Sequence, residues 1–269
     1  MIASKPYVMK KIEEENLYPQ KRYGQNFLIS DSVADQIVSS LHLCEEDIVI
    51  EIGPGLGAIT EKMISPTKEL YLYEIDSRMV EHLQKTFRLF SHVHIIEKDI
   101  LTVVPKEKET YKIVGNLPYY ITTPILEHIF LSFPFTCFTF MVQEEVEERL
   151  FAKPACKEYG PLSILISLFY QAKKVMKVSR KQFYPEPHVD SVVWTLSPKE
   201  TYQNYKSFYR FLKAMFHMRR KNVLNNLTTY VGSKENASAY LKKLSIETQK
   251  RPEQLLPIEY ERLFEEVTK

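Results

Sequence analysis

Cysteine and long apolar runs are both scarce in this sequence, and each scarcity excludes a class of protein. Three cysteines, Cys44, Cys137 and Cys156, occur in 269 residues, and no two form a C-x-x-C pair. Their odd number and wide spacing argue against a disulfide framework and against a zinc site. We therefore expect no metal and interpret the three as small core residues. The most apolar stretch, PLSILISLFY, is too short to span a bilayer.

The N-terminal segment also lacks the apolar core of a signal peptide. Apolar residues make up 44% of the chain and charged residues 26%, which is typical of a soluble globular protein. We therefore expect a cytoplasmic protein, a monomer, without a membrane partner. The length allows one large domain, or one of ordinary size and a smaller one.

The charge is small in total but unevenly distributed. The net charge is +2, yet residues 199–269 carry 14 basic and 8 acidic residues, and residues 173–221 carry 12 and 3. Such a basic stripe, which includes KKVMKVSRK and FHMRRKNVLNN, is typical of a surface that binds a polyanion. A solvated helix face is an equally good interpretation. The aromatic residues of KSFYRFLKAMFHM recur at helical spacing, which predicts that they lie in a core.

Strand and helix patterns alternate along the first two thirds of the chain. We expect strands at DIVIEIG, ELYLYEID, HVHIIEKD, YKIVGN and CFTFMVQ, and helical patterns between several of them. This alternation predicts an α/β fold with a doubly wound, Rossmann-like sheet. AKKVMKVS and VDSVVWTLSP are expected to close the sheet as an antiparallel pair. The sequence thus predicts a sheet domain at residues 1–198 and a small helical domain at residues 199–269.

Glycine is scarce as well, and its placement is informative. The chain has seven glycines, and Gly53, Gly55 and Gly57 all fall in the single loop EIGPGLG. This loop follows a strand and opens a helix, where the backbone can approach a ligand closely. The spacing is G-x-G-x-G, and the dinucleotide fingerprint G-x-G-x-x-G would need Ala58 as its third small residue. The loop alone therefore leaves a nicotinamide cofactor open.

Carboxylates follow the next two predicted strands. Glu74 lies 21 residues after Gly53, where an acidic side chain can accept hydrogen bonds from ribose hydroxyls. Asp99 ends the third strand and is suited to accept from an adenine amine. A single carboxylate at a strand end is more often a helix cap or a surface charge. The glycine loop and both carboxylates at one sheet edge together indicate an adenosine-containing cofactor.

Eight motifs occur in order along most of the chain. They are KRYGQNFL (21–28), IEIGPGLGAIT (50–60), YEID (73–76), KDIL (98–101), VGNLPYYITTPIL (114–126), YGPLSILI (159–166), FYPEPHVDSVV (183–193) and FHMRRKNVLNNL (216–227). Together these motifs resemble the family of the ribosomal RNA small-subunit adenine N6,N6-dimethyltransferases. The resemblance implies a class I methyltransferase fold that binds S-adenosylmethionine. It also implies that the partner and substrate is RNA of the small ribosomal subunit or its precursor.

The resemblance also assigns roles to individual residues of this sequence. It implies contacts to the cofactor from Asn26, Leu28, Gly53, Gly55, Glu74, Asp99 and Asn116. It implies a catalytic loop at Asn116, Leu117, Pro118 and Tyr119, with Phe183 opposite Tyr119 on the target base. For Phe183, packing in the core before a proline-rich turn is the alternative. Arg219, Arg220 and Lys221 are the candidate contacts to RNA phosphates.

The catalytic loop has a chemical rationale. The exocyclic nitrogen of adenine is a poor nucleophile because its lone pair is delocalised into the ring. The Asn116 side-chain oxygen and the Leu117 carbonyl can accept its two N–H groups and favour a pyramidal nitrogen, so that catalysis rests on positioning and on fixed dipoles. No general base is evident in the loop.

Three other functions share parts of this pattern. A non-catalytic RNA-binding assembly factor would keep the fold without the chemistry, and the intact NLPY motif argues against it. A nicotinamide-dependent dehydrogenase would need a catalytic group that cannot be placed in this sequence. The macrolide-resistance methylases of large-subunit RNA share the catalytic motifs, and FHMRRKNVLNN with the helical tail favours the small-subunit type.

Overall fold

The computed structural model describes residues 1–199 and 205–269, and of Lys21 it describes the backbone alone. The chain forms two compact units, a first unit of residues 1–144 and 172–198 and a second unit of residues 145–171 and 199–269. The sequence suggested one boundary, at residue 198. The structure differs because residues 145–171 join the C-terminal helices.

Among the described residues, seven strands form the central sheet, in the order β4-β3-β2-β5-β6-β9-β7. β1 and β8 form a separate pair. The strands in the described part of the chain are β1 (Phe27–Leu28), β2 (Ile48–Ile52), β3 (Glu69–Glu74), β4 (Val93–Glu97), β5 (Tyr111–Asn116), β6 (Phe135–Gln143), β7 (Tyr170–Val178), β8 (Phe183–Tyr184) and β9 (Ser191–Pro198). Strands β2 to β6 pair in parallel, and β9 pairs antiparallel with β6. The predicted α/β class is confirmed.

The helices are α1 (Lys5–Glu15), α2 (Asp31–Ser39), α3 (Thr60–Met63), α4 (Ser77–Phe87), α5 (Thr122–Ser132), α6 (Glu144–Leu150), α7 (Pro161–Phe169), α8 (Tyr205–Met215), α9 (Val223–Val231), α10 (Lys234–Lys243) and α11 (Pro257–Val267). Helix α4 begins where the Asp76 side chain accepts a hydrogen bond from the Arg78 N–H. The chain order reverses between β2 and β5, so a crevice opens at the carboxyl ends of these two strands.

Strands β1 and β8 form a small antiparallel sheet that the sequence did not predict. Phe27 pairs with Tyr184 and Leu28 with Phe183. Two-residue strands carry no readable period, because alternation needs about four residues to be visible. The pairing ties the GQNFL segment to the FYPEP segment.

The second unit is held together by an aromatic core. Phe208, Phe211 and Phe264 are buried, and the Phe208 ring centroid lies 5.3 Å from that of Phe264. Helix α7 belongs to this unit because its apolar face packs here, and the Phe169 ring meets Phe208 edge to face at 5.6 Å. The prediction that the aromatic residues of KSFYRFLKAMFHM are core residues is confirmed.

The three cysteines differ in their exposure to solvent. Cys137 is buried, Cys156 is half-buried and Cys44 is exposed. The interpretation of all three as core residues is therefore wrong for Cys44, which precedes a turn at the start of β2. Within residues 1–199 and 205–269, no helix has both the length and the apolar character needed to cross a membrane.

Candidate functional site

A cavity lies in the first unit, at the carboxyl ends of β2 to β5. Its wall includes six of the seven predicted cofactor contacts, Asn26, Gly53, Gly55, Glu74, Asp99 and Asn116, and also Leu117, Pro118 and Tyr119 of the predicted catalytic loop. The parallel strands bring these residues together because their carboxyl ends meet at one edge. The remaining wall is largely apolar, with Ile52, Ile100 and Ile125 among its members.

The glycines of EIGPGLG have different tasks. Gly53 has a φ of +65°, and a Cβ built there would have no atom within 4 Å. Its backbone thus faces open space in the cavity, as expected where a ligand approaches the chain. Gly57 has a φ of +88°, and its Cβ would lie 2.8 Å from the Phe87 ring of α4. The third glycine therefore serves helix packing, which accounts for the G-x-G-x-G spacing.

Glu74 ends β3 as a buried acceptor in the cavity wall. Its Oε1 accepts the backbone N–H groups of Ile75 and Asp76, at 2.8 and 3.0 Å, and its Oε2 accepts that of Gly55 at 3.2 Å. Burial raises the pKa of Glu74, and these bonds offset part of the effect. A carboxylate oxygen has two acceptor sites, so Oε1 is fully used and Oε2 can accept one further donor. This geometry fits one ribose hydroxyl better than two.

Asp99 caps a short turn and also lines the cavity. Its Oδ1 accepts the Leu101 N–H at 2.9 Å, which caps the short 3₁₀ turn Ile100–Thr102. The residue is half-buried and lines the same cavity as Glu74. Two carboxylates in a largely apolar cavity suit a ligand with several N–H and O–H donors, such as an adenosine. The residues present therefore fit an adenosine-containing cofactor.

The NLPY loop continues directly from β5. The Leu117 N–H donates to the Met141 carbonyl at 3.1 Å, and Thr122 Oγ1 donates to the Pro118 carbonyl at 2.9 Å. The Tyr119 hydroxyl lies 3.4 Å from Ser191 Oγ. Burial raises the pKa of Tyr119, although the Ser191 contact lowers it in part, so the phenol stays neutral at physiological pH. Tyr119 is accordingly a rigid neutral ring and not a base.

A second, open cleft adjoins the NLPY loop, also within the first unit. Its wall includes Tyr18, Gln20, Gly24, Gln25, Asn26, Tyr119, Gln143 and residues 184–188. Four residues, Gly24, Gln25, Asn26 and Tyr119, line both the cavity and the cleft. The N-terminal GQN segment and Tyr119 are thus the partition between the two spaces.

Two residues predicted to contact the base or the cofactor, Phe183 and Leu28, lie outside both spaces. Phe183 is 2% exposed, lines neither space and packs in the core of the first unit. Its predicted stacking on a base is not supported by this position, because the alternation of β8 turns Phe183 inward and leaves Tyr184 in the cleft wall. Leu28, the predicted cofactor contact, is also buried and outside the cavity wall, whereas Phe27 lines it. Sequence motifs located both segments but not the side chain that faces the site.

The candidate RNA contacts lie in the second unit. Arg219 Nη2 donates to the carbonyls of Lys157 and Tyr159, at 2.8 and 3.0 Å, and its guanidinium lies 5.7 Å from the Phe216 ring. Arg219 thus holds residues 157–159 in place. Arg220 and Lys221 are exposed. In the part of the chain that the structure describes, no group of three or more His, Cys, Asp or Glu could hold a metal ion.

A doubly wound sheet with a glycine-lined acidic cavity at its switch point, followed by an NLPY loop, defines a class I methyltransferase fold. The predicted fold is therefore confirmed at this level. A sequence model of the family described as ribosomal RNA adenine dimethylase matches residues 17–269. The chain belongs to that family.

Similar proteins and solved structures agree with this family assignment. Ribosomal RNA small subunit methyltransferase A of Clostridium botulinum strain Langeland is 36% identical over 252 residues, with 90% of this chain and 92% of that protein covered. The protein of the same name from Streptococcus sanguinis strain SK36 is 40% identical over 243 residues, with 86% and 84% covered. The crystal structure of a dimethyladenosine transferase from Plasmodium falciparum has a TM-score of 0.76 at 28% identity, over 90% of this chain and 97% of that one. The 23S rRNA methyltransferase ErmE shares the fold, with a TM-score of 0.66 at 23% identity over 91% and 100%.

Proposed function

We propose that this enzyme transfers methyl groups from S-adenosylmethionine to the N6 atom of adenines in small-subunit ribosomal RNA and forms N6,N6-dimethyladenosine. The observation that carries the proposal is the NLPY loop, which borders the acidic cavity and, through Tyr119, the open cleft. The family and its small-subunit relatives supply the substrate class. A ribosomal substrate is in keeping with the cytoplasmic location that the sequence suggested.

The cavity would hold the cofactor. Glu74 Oε2 would accept a hydrogen bond from a ribose hydroxyl, and the Asp99 carboxylate would accept one from the adenine amine. The open space beside the Gly53 backbone would hold the amino-acid portion of the cofactor. When bound, S-adenosylmethionine supplies a methyl group on a positively charged sulfur, and an amine nitrogen can attack the methyl carbon while the sulfur leaves as a neutral thioether. Asn26 and Phe27 would cover the cavity from the N-terminal side.

The cleft would admit the target adenine to the NLPY loop. There the Asn116 Oδ1 and the Leu117 carbonyl would accept the two N–H groups of N6. Pro118 has no N–H group, so it cannot donate to these acceptors in place of the amine. Positive charge that develops on the nitrogen would be stabilised by these dipoles, and the proton would leave to water. Catalysis in this scheme consists of positioning.

An adenine must leave a helix to reach this loop, at a cost of a few kcal/mol. Stacking of the adenine on Tyr119 would offset about 1–3 kcal/mol of this cost. The second stacking partner was predicted at Phe183, which would have to leave the core to reach the base. Tyr184 lines the cleft already and needs no such movement, so we propose it as the second aromatic contact.

RNA phosphates would meet basic residues on each unit separately. In the second unit, Arg219, Arg220 and Lys221 are all exposed, but two N–H groups of Arg219 already donate to backbone carbonyls and only the remaining ones are left for phosphate. In the first unit, Lys177 Nζ lies 2.9 Å from Glu144 Oε1, and Arg180 Nε lies 2.9 Å from Glu186 Oε1. Exposed pairs of this kind are worth at most about 1 kcal/mol, so a phosphate can replace the carboxylate.

The test is methyl transfer to purified small subunits with labelled S-adenosylmethionine. We expect Asn116→Ala to abolish dimethyladenosine formation while the protein stays folded, because the amine loses its side-chain acceptor. Asn236→Ala, the same change at an exposed position of α10, should be neutral. Transfer by Asn116→Ala within a few-fold of wild type would reject the role of the amide. A wild-type protein that binds the cofactor but methylates nothing would favour the assembly-factor alternative.

A further inference from the structure

An asparagine amide has an acceptor end and a donor end, and their orientation decides what the side chain can do. Asn116 Nδ2 donates to the backbone carbonyl of Asn26 at 3.3 Å. A carbonyl oxygen can only accept, so the NH₂ end of Asn116 faces Asn26. The Oδ1 end is then left for a donor in the space that Asn116 lines. With the amide reversed, its NH₂ group would oppose the N–H groups of an amine substrate.

The Asn26 carbonyl belongs to a segment whose Gln25 side chain is held by Asp76, a residue outside the cavity wall. Gln25 Nε2 donates to Asp76 Oδ2 at 3.0 Å, and Gln25 Oε1 accepts the Gln20 N–H at 2.8 Å. Arg78 Nη2 donates to the same Asp76 oxygen at 2.6 Å, and Arg78 Nη1 donates to the Tyr18 carbonyl at 3.3 Å. Both ends of residues 18–25 are thereby tied to the start of α4.

Asp76 is the centre of this network. It is 3% exposed, and its two oxygens accept from the Gln25 side chain and from the Arg78 side chain and backbone. Burial alone would raise the pKa of Asp76, but the hydrogen bonds from Arg78 and Gln25 outweigh it and hold the pKa below its usual value. The carboxylate therefore remains an ionised acceptor at neutral pH. The network is a permanent part of the fold in that range.

We propose that Gln25 and Asp76 are positioning residues that set the orientation of the catalytic amide. They fix the Asn26 carbonyl, the carbonyl holds the NH₂ end of Asn116, and Oδ1 is thereby presented to the substrate amine. The inference rests on the proposed function for the identity of that amine. Neither Gln25 nor Asp76 needs to touch the adenine for this effect.

Gln25→Glu tests the proposal with little change in shape. The variant keeps an acceptor for the Gln20 N–H, loses the donor to Asp76 and brings a second carboxylate beside it. We expect kcat to fall by about tenfold, the value of one well-placed hydrogen bond, while the KM for S-adenosylmethionine changes by less than about threefold. Gln36→Glu, the same change on the exposed face of α2, is the matched control.

A second variant separates orientation from a general effect on the fold. Asn116→Asp has two equivalent oxygens, so its orientation no longer matters. In that background, Gln25→Glu should lower kcat by less than about twofold, as expected when the two residues act through one interaction. An equal loss in both backgrounds would overturn the proposal, because Gln25 would then act through folding or cofactor binding.

A spectroscopic measurement gives an answer even where activity is too low to compare. The side-chain NH₂ signal of Asn116 in a ¹⁵N correlation spectrum is identified by its disappearance in Asn116→Asp. We expect Gln25→Glu to shift this signal and to speed its hydrogen exchange, and Gln36→Glu to leave it in place. An unmoved signal in folded Gln25→Glu would overturn the proposal. This result does not depend on the substrate, whereas failure of the proposed function would appear in the wild-type transfer assay alone.

Discussion

Glu51 is a buried carboxyl group whose protonation we expect to control the pH dependence of stability. It lies on β2, is 1% exposed, and accepts the Thr60 hydroxyl at 2.6 Å. Burial raises the pKa of Glu51 from 4.5 to about 8, although the Thr60 bond lowers it in part, and the negative charge of Glu74 adds to the rise. The side chain is thus mostly neutral at pH 7. Glu51→Gln replaces the neutral acid by an amide of the same shape.

The sign of the effect follows from proton binding. Above pH 4.5 the unfolded chain loses the Glu51 proton, whereas the folded chain keeps it until about pH 8. The stabilisation is fully present below the unfolded pKa and is lost as pH rises through the folded one, by up to about 1.4 kcal/mol per pH unit. Between pH 5.5 and 7.5, wild type should lose about 2.5 kcal/mol of unfolding free energy relative to Glu51→Gln.

The assay is urea unfolding followed by circular dichroism at several pH values from 5.5 to 8.5. The quantity of interest is the difference in unfolding free energy between wild type and Glu51→Gln, since other titrating groups cancel in it. Glu45→Gln, the same change at an exposed residue, controls for the lost carboxyl. A difference that stays constant across this range would refute the reasoning, and one that favours wild type at high pH would show that Glu51 is ionised.

Three further predictions concern the cofactor cavity and the second unit. Glu74→Ala should weaken S-adenosylmethionine binding by about 1–3 kcal/mol because a buried ribose hydroxyl loses its acceptor. Calorimetry measures this, with Glu97→Ala as the exposed control at the same sheet edge, and an unchanged affinity would contradict the assignment. For the second unit, Arg219→Gln should lower the melting temperature, because two carbonyls lose their donor. The double change Arg220→Gln and Lys221→Gln should instead reduce the salt dependence of small-subunit binding, by up to about 0.9 in log–log slope per duplex phosphate contact. If the double variant and wild type show the same salt dependence of binding, Arg220 and Lys221 do not contact RNA phosphates and the RNA surface lies elsewhere.

The sheet could be predicted from the sequence because burial on both faces leaves a visible signal. Strand β5 was predicted at its observed bounds, since its apolar run is interrupted only at Lys112. The same reasoning located Glu74, Asp99 and Asn116, because parallel strands carry whatever follows them to one edge. Their place in one cavity wall could be predicted from position along the chain, whereas the role proposed for Asn116 came from the family resemblance.

Side-chain direction in short irregular segments could not be predicted. Leu28 and Phe183 lie opposite each other in a two-residue pairing, and both face the core, whereas Phe27 and Tyr184 line the site. A shift of one residue reverses which side chains are accessible, and a motif does not contain that information. The structural role of Arg219 could not be predicted either, because its hydrogen-bond partners are backbone carbonyls about 60 residues away along the chain.

The second unit is built from two stretches that are separated along the chain by residues 172–198. Phe169 from the earlier stretch and Phe208 from the later one share one aromatic cluster. A genetic exchange with one crossover point could therefore never transfer this unit alone, because a crossover before residue 145 would also transfer residues 172–198 of the first unit. A crossover between the two stretches would combine parts of the aromatic cluster from two parents, and their packing would have to match by chance. We expect that the two units of this enzyme were inherited together and diverged together, even if each contacts a different part of the RNA.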